Sequence, residues 1–226
     1  MLNNHISFDQ QQLQQQVLVF YHHLYLKNYS QKTKGIVKTA IKVEDTENYN
    51  AHPAQKLPVI KKYTNGNTLE LLKWGIVPSW SKQKDFKPLI NARLETIDEK
   101  VSFKKHIKIH RCIAVADGFY EWKRDGKEKK PFYFLRDDKK MMFIAGIFAD
   151  NEFCLITEQA SQNVNEIHHR QPVILNEKDV NNYLNLQIDG SNFLKEASKP
   201  NLEFYEISKN VNKPTNNTIS LIQKIN

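Results

Sequence analysis

Apolar positions along this chain fall mostly into short runs closed off by Gly, Pro or Asn, which is the rhythm of strands rather than of long helices. Leu57-Pro58-Val59-Ile60 begins one strand, Asn65-Gly66 marks a two-residue hairpin, and Thr68 to Trp74 returns as the partner. Arg111 to Trp122 carries a buried strand rich in β-branched and aromatic residues. Asp125-Gly126 then closes a second hairpin, with Pro131 to Leu135 as its return. Met141 to Ala149, Phe153 to Thr157 and Phe204 to Ile207 read as further strands. Helical spacing is confined to three places: Phe8 to Leu26 behind a Ser7 cap, Thr96 to His110 behind Thr96, and Glu177 to Leu186. Lys27 to Ala54 is polar and weakly patterned. The pattern predicts an α+β chain built on a curved antiparallel sheet, and 226 residues are accommodated by a single domain.

No apolar run approaches the ~18 residues of a membrane span, and Met1 to Gln16 is glutamine-rich with no apolar leader segment. A cytoplasmic protein with no membrane partner is the expectation. The two cysteines, Cys112 and Cys154, sit inside apolar runs, as reduced core thiols do. No zinc spacing, Walker loop or dinucleotide fingerprint is present, so neither metal nor cofactor is expected. The net charge of +8 changes the picture, because it gathers in two clusters. Lys104, Lys105, Lys108 and Arg111 precede the strand that ends at Trp122, and Lys123, Arg124, Lys127, Lys129 and Lys130 follow it. Each alone reads as a solvated helix face or hairpin tip; two around one strand point to a polyanion, nucleic acid above all.

Within that strand Glu121 lies between Tyr120 and Trp122, a water-excluding setting that suits a carboxylate to general acid–base work, although an edge-strand ion pair would look the same. His168-His169-Arg170 precedes Pro172 at a loop-to-strand junction, a useful place for a proton carrier. Gly75 and Pro78 break the strand after Trp74 and leave Trp80 in a loop, free to stack on an unpaired base or to fold into the core.

Taken together, Pro58-Val59-Ile60, Trp74 to Trp80, Asn91-Ala92-Arg93-Leu94-Glu95, Arg111-Cys112, Ala116 to Trp122, Lys130 to Tyr133, Ala145 to Phe148, and His168 with Arg170 and Pro172 resemble the SOS response-associated peptidase family of abasic-site processing proteins. The resemblance spans roughly residues 57 to 175. It implies a single α+β domain around a distorted antiparallel β-barrel with peripheral helices, a monomer whose partner is single-stranded DNA carrying abasic sites. It also implies roles: Asn91, Glu121 and His168 as catalytic residues, and Arg93, Trp80 and Arg170 as DNA-binding ones. Glu121 would shuttle protons during imine formation, His168 would act at the sugar with His169 as the alternative, and Arg93 would hold phosphate. In the family an N-terminal cysteine closes a thiazolidine on the ring-opened aldehyde, whereas this chain reads Met1-Leu2-Asn3-Asn4-His5 and has no cysteine before Cys112. A reversible imine from the Met1 amine, with lyase-type strand cleavage, is then the expected remnant, and binding without chemistry is the reading from another class. An autoproteolytic peptidase would need a cleavable leader and a nucleophile that this segment does not supply.

Overall fold

The computed structural model describes residues 23–40, 46–81 and 86–225, and all that follows concerns them. Two sheets make the α+β fold, and its helices are short, the first being α1 (Tyr29–Lys32). The smaller contains β1 (His23–Leu26), β3 (Asn48–Ala51), β8 (Gly118–Asp125), β9 (Glu128–Arg136) and β14 (Leu202–Glu206), in the order β14-β9-β8-β1-β3. The larger contains β2 (Thr39–Ala40), β4 (Lys56–Tyr63), β5 (Gly66–Trp74), β6 (Asn91–Arg93), β7 (Arg111–Ala116), β10 (Met142–Ala149), β11 (Glu152–Gln159), β12 (Arg170–Pro172) and β13 (Ile174–Leu175). Its path runs β12-β11-β10-β7-β4-β5-β2, with β6 on β11 and β13 on β10. β5 returns to β11 over just two register pairs, Glu152 with Lys73 and Phe153 with Trp74, so the sheet curls into a twisted ring that is not closed as a barrel. The pairings of β11 with β5 and β6, and of β2 with β5, are parallel, a departure from the expected antiparallel sheet.

Both hairpins form at the Gly residues that predicted them, β4 with β5 and β8 with β9. β7 is buried along its whole length, because one face lines the ring and α3 (Val180–Leu184) packs against it. Trp74, Ile60, Ile113 and Phe153 fill the main core, and the Trp74 indole N–H donates to the Ile90 carbonyl at 3.0 Å. A second cluster under the smaller sheet gathers Tyr25, Tyr49, Tyr120 and Tyr133 with Val211 and Leu221 of the C-terminal segment. Asn50 holds that segment down: its side-chain amide donates to the carbonyls of Val211, Lys213 and Asn216 at 3.1 to 3.2 Å.

Two helix expectations are corrected. Most of the segment from Phe8 to Leu26 lies outside the described residues, but its last four residues are β1, where Leu24 and Leu26 face the main core and Tyr25 faces the tyrosine cluster. That alternation is the period of a strand. Thr96 to His110 is a chain of turns ending in α2 (His106–Ile109), not one helix. A continuous helix would bring Lys100 and Lys104 onto the stripe of Ile97 and Ile107, whereas turns bury Ile97, Phe103 and Ile107 and leave the lysines to solvent. The helix expected over Glu177 to Leu186 is present, shortened to a 3₁₀ turn and α3.

Candidate active site

Alternation along β8 decides which way its carboxylate points. Tyr120 and Trp122 face the tyrosine cluster, so Phe119 and Glu121 face the opposite side, toward the larger sheet. Glu121 is buried there, its side chain 3% exposed, and its Oε1 lies 3.6 Å from Nδ1 of His168. Its Oε2 accepts the N–H of Trp122 at 3.3 Å. Trp122 is itself tied by its indole N–H to Asn212 Oδ1 at 2.7 Å, so the C-terminal segment braces the residue next to the carboxylate.

His168 sits just before β12, and its Nδ1 is 3.1 Å from both the N–H and the carbonyl oxygen of Arg170. The ring packs against that of His169 at 4.6 Å between centroids. His169 is exposed; loss of solvent, then repulsion from His168, Arg170 and Arg93, holds its imidazole below the ordinary value. Of the two adjacent histidines, His168 is therefore the one that meets the carboxylate.

β11 carries the rest. On one edge its C-terminal half pairs with β12, on the other with β6, so that Thr157 lies between Pro172 and Arg93. Asn91 and Arg93 project to the same side of β6, with Ala92 buried on the other. Both side-chain amide atoms of Asn91 are buried and make no hydrogen bond among the described residues, which leaves a donor and an acceptor available to a ligand. Arg93 is exposed and makes no ion pair among the described residues. Trp80 is 48% exposed and edge-on to Phe86 at 5.8 Å, so it lies at the surface and not in the core.

Arg170, which the resemblance puts among the DNA-binding residues, does not lie open to a ligand. Its guanidinium is buried, grips both Glu95 oxygens at 2.7 and 2.9 Å, and donates to the Thr157 carbonyl at 2.7 Å. Burial alone would push the Glu95 carboxyl up, but Arg170 together with the backbone N–H groups of Glu95 and Gln159 holds the group below its ordinary value. Glu95 was visible in the Asn91-to-Glu95 motif and had no assigned role, because nothing local says which cation it will meet. Gln171 is buried too, its carbonyl oxygen accepting from the Ser161 backbone and hydroxyl at 2.9 and 3.0 Å.

The basic clusters divide. Lys123, Arg124, Lys127 and Lys129 stand exposed on the β8–β9 hairpin that extends beyond Glu121, and Lys130 pairs with Asp125 at 3.1 Å. The other cluster does not flank the site. Arg111 begins β7 opposite Ile147, at the end of the ring where β11 starts, whereas His168 adjoins the end where β11 finishes; a six-residue strand separates the two ends by roughly 17 Å. Arg111 is also buried, donating to the carbonyls of Tyr183 and Ile188 at 2.8 and 2.7 Å, where a cation suits the end of α3. Cys112 and Cys154 are free and buried, and burial pushes both thiols up, away from nucleophilic thiolate. Among the described residues no helix is long and apolar enough to cross a membrane, and no group of three or more His, Cys, Asp or Glu could hold a metal ion.

Against this geometry stand the likenesses to other proteins. A family model described as SOS response associated peptidase (SRAP) matches residues 10–214. The abasic site processing protein YoqW of Bacillus subtilis is 34% identical over 190 residues, covering 77% of this chain and 85% of that protein. YedK of Escherichia coli, also named an abasic site processing protein, is 33% identical over 159 residues, covering 67% of this chain and 68% of its own length. Among solved structures, a Bacteroides thetaiotaomicron protein shares the fold with a TM-score of 0.75 at 21% identity, covering 92% of this chain and all of that one.

Proposed function

The chain belongs to the SOS response associated peptidase family, and on that footing we propose that it is a single-domain abasic-site processing protein that engages single-stranded DNA. Glu121 and His168 move protons at the ring-opened sugar. The observation that carries this reading is the buried Glu121 carboxylate 3.6 Å from His168 Nδ1, a distance that a small side-chain rotation shortens to a hydrogen bond. A primary amine of the protein adds to the aldehyde carbon, forming a C–N bond and a carbinolamine. Loss of its hydroxyl as water requires a proton, which Glu121 supplies in its acid form; the resulting carboxylate then takes a proton back. His168 serves the sugar hydroxyl on the other side of the same pair. Asn91, with its buried and unoccupied amide, orients the attacking group or the aldehyde oxygen. Arg93 and the cations of the β8–β9 hairpin hold phosphates, and Trp80 offers a face for an unpaired base. Arg170, its charge held by Glu95, works from behind.

The test is incubation with single-stranded DNA carrying one abasic site, with and without borohydride, resolved on a denaturing gel. A band shifted only after reduction identifies the imine and a lyase-type chemistry; a heat-stable band without reductant identifies a thiazolidine-type link. Retained binding with neither band removes the chemistry and leaves a single-stranded DNA-binding protein. Loss of both binding and trapping refutes the reading.

A further inference from the structure

Glu95 stands at a junction of three strands. It follows Arg93 directly beyond β6, within a 3₁₀ turn over Leu94–Thr96. Its Oε1 accepts the backbone N–H of Gln159 in β11 at 3.1 Å, and its two oxygens take the guanidinium of Arg170 in β12. Gln159 and Arg170 are register partners, the last pair of the β11–β12 ladder. One carboxylate therefore clasps both members of the pair from which the His168-His169 loop emerges. The clasp is continued by Arg170 itself, whose guanidinium also donates to the Thr157 carbonyl and hydroxyl at 2.7 and 3.2 Å, while its main chain meets His168 Nδ1. A planar guanidinium held on two oxygens has little rotational freedom, so the backbone that carries it is held as well.

From this geometry we infer that Glu95 is a positioning residue, setting the His168 ring against Glu121 by way of Arg170 and keeping β6, with Asn91 and Arg93, in register with both. The chain of contacts runs Glu95 to Arg170 to His168 to Glu121, with no exposed link between the first residue and the last. Glu95 touches no reacting atom; its effect is the angle and distance at which His168 meets the carboxylate. The inference rests on the proposed function only for its kinetic consequence. The position of the ring is a property of the folded protein alone.

The experiment pairs Glu95→Gln with Arg170→Lys, the first keeping the shape of the carboxylate and the second the charge of its partner. Circular dichroism first establishes that each variant is folded; Glu95→Asp takes the place of either that is not. The ¹⁵N signals of the His168 ring, which report where its protons lie, are expected to move in both variants, while those of His106 and His110 at the far end of the ring stay. In reductive trapping on abasic single-stranded DNA, Glu95→Gln is expected to slow the reaction tenfold or more with affinity for the DNA kept within threefold. In the His168→Ala background the same substitution is expected to add nothing, because its effect passes through that ring. Unmoved His168 signals in a folded variant overturn the inference, as does an equal slowing with and without His168. If the native protein traps no DNA, the proposed function fails, and the ring signals still decide the positioning role.

Discussion

Replacing Glu121 by Gln removes a proton carrier and almost nothing else. The two side chains have the same shape, and the substituted amide oxygen can still accept the Trp122 N–H that Oε2 accepts at 3.3 Å. General acid–base catalysis by one positioned group contributes about 10²- to 10⁴-fold, so the trapping rate should fall by that factor, or about 3 to 5 kcal/mol in the barrier. DNA affinity should hardly change, because the side chain is 3% exposed and contributes almost nothing to the surface that a strand could touch. The assay is single-turnover borohydride trapping on an abasic oligonucleotide, with binding followed separately by fluorescence anisotropy. A trapping rate within threefold of the native protein would refute proton transfer by Glu121. A tenfold loss of affinity would instead make it a binding residue.

Arg93→Ala is expected to weaken single-stranded DNA binding and to reduce the slope of log affinity against log salt by about 0.7, the share of one phosphate; an unchanged slope removes Arg93 from the interface. Gly118→Ala should destabilise by about 3 kcal/mol, because its Cβ would lie 2.5 Å from the Phe134 carbonyl oxygen and the Tyr133 ring, and a backbone atom in the β8–β9 ladder cannot give way. For a chain of this length that is a fall in Tm of roughly 6 to 12 °C by calorimetry, and a fall under 2 °C refutes the close packing. His106 and His110 share a 3.0 Å Nδ1 to Nδ1 contact, and burial first, then cationic repulsion, holds both below their ordinary 6.5. The folded state thus declines protons that the unfolded chain accepts, so their contribution is full above about pH 6.5 and is lost as the pH drops below it. His106→Gln should flatten the dependence of denaturation midpoint on pH between 7 and 5, and an equally steep dependence excludes this pair as its source.

Position in the sequence already told much about the strands. Asn65-Gly66 and Asp125-Gly126 supply the backbone freedom that a tight turn needs, and alternating apolar residues on either side leave one register in which each strand buries a face. Glu121 and His168 are candidates from their neighbours along the chain, and Asn91 from the family resemblance alone; the roles of all three are those proposed above. The segment from Thr96 to His110 was less legible: its capping residue and acidic first turn are local helix signals, and they lost to the burial of Ile97, Phe103 and Ile107, which only the neighbouring elements could reward.

The partners of the charged residues were decided elsewhere. Sequence alone determined that this is an α+β chain of strand hairpins and that cations crowd around the Arg111-to-Trp122 strand; it made Tyr120 and Trp122 the water-excluding neighbours of Glu121, whereas alternation along β8 turns both rings to the opposite face and the larger sheet buries the carboxylate. Tertiary structure determined which cations remain available to a ligand. Arg111 is held on backbone carbonyls and Arg170 on Glu95, while Arg93 and the β8–β9 hairpin face solvent. It also brought His168, 47 positions further along the chain, to Glu121 on the other sheet by pairing β12 with the end of β11. The physical reason is one of range: turn chemistry and side-chain alternation act over a few neighbouring residues, whereas an ion pair forms between whichever groups the packed strands leave within 4 Å, and that distance is set by every register in the sheet at once.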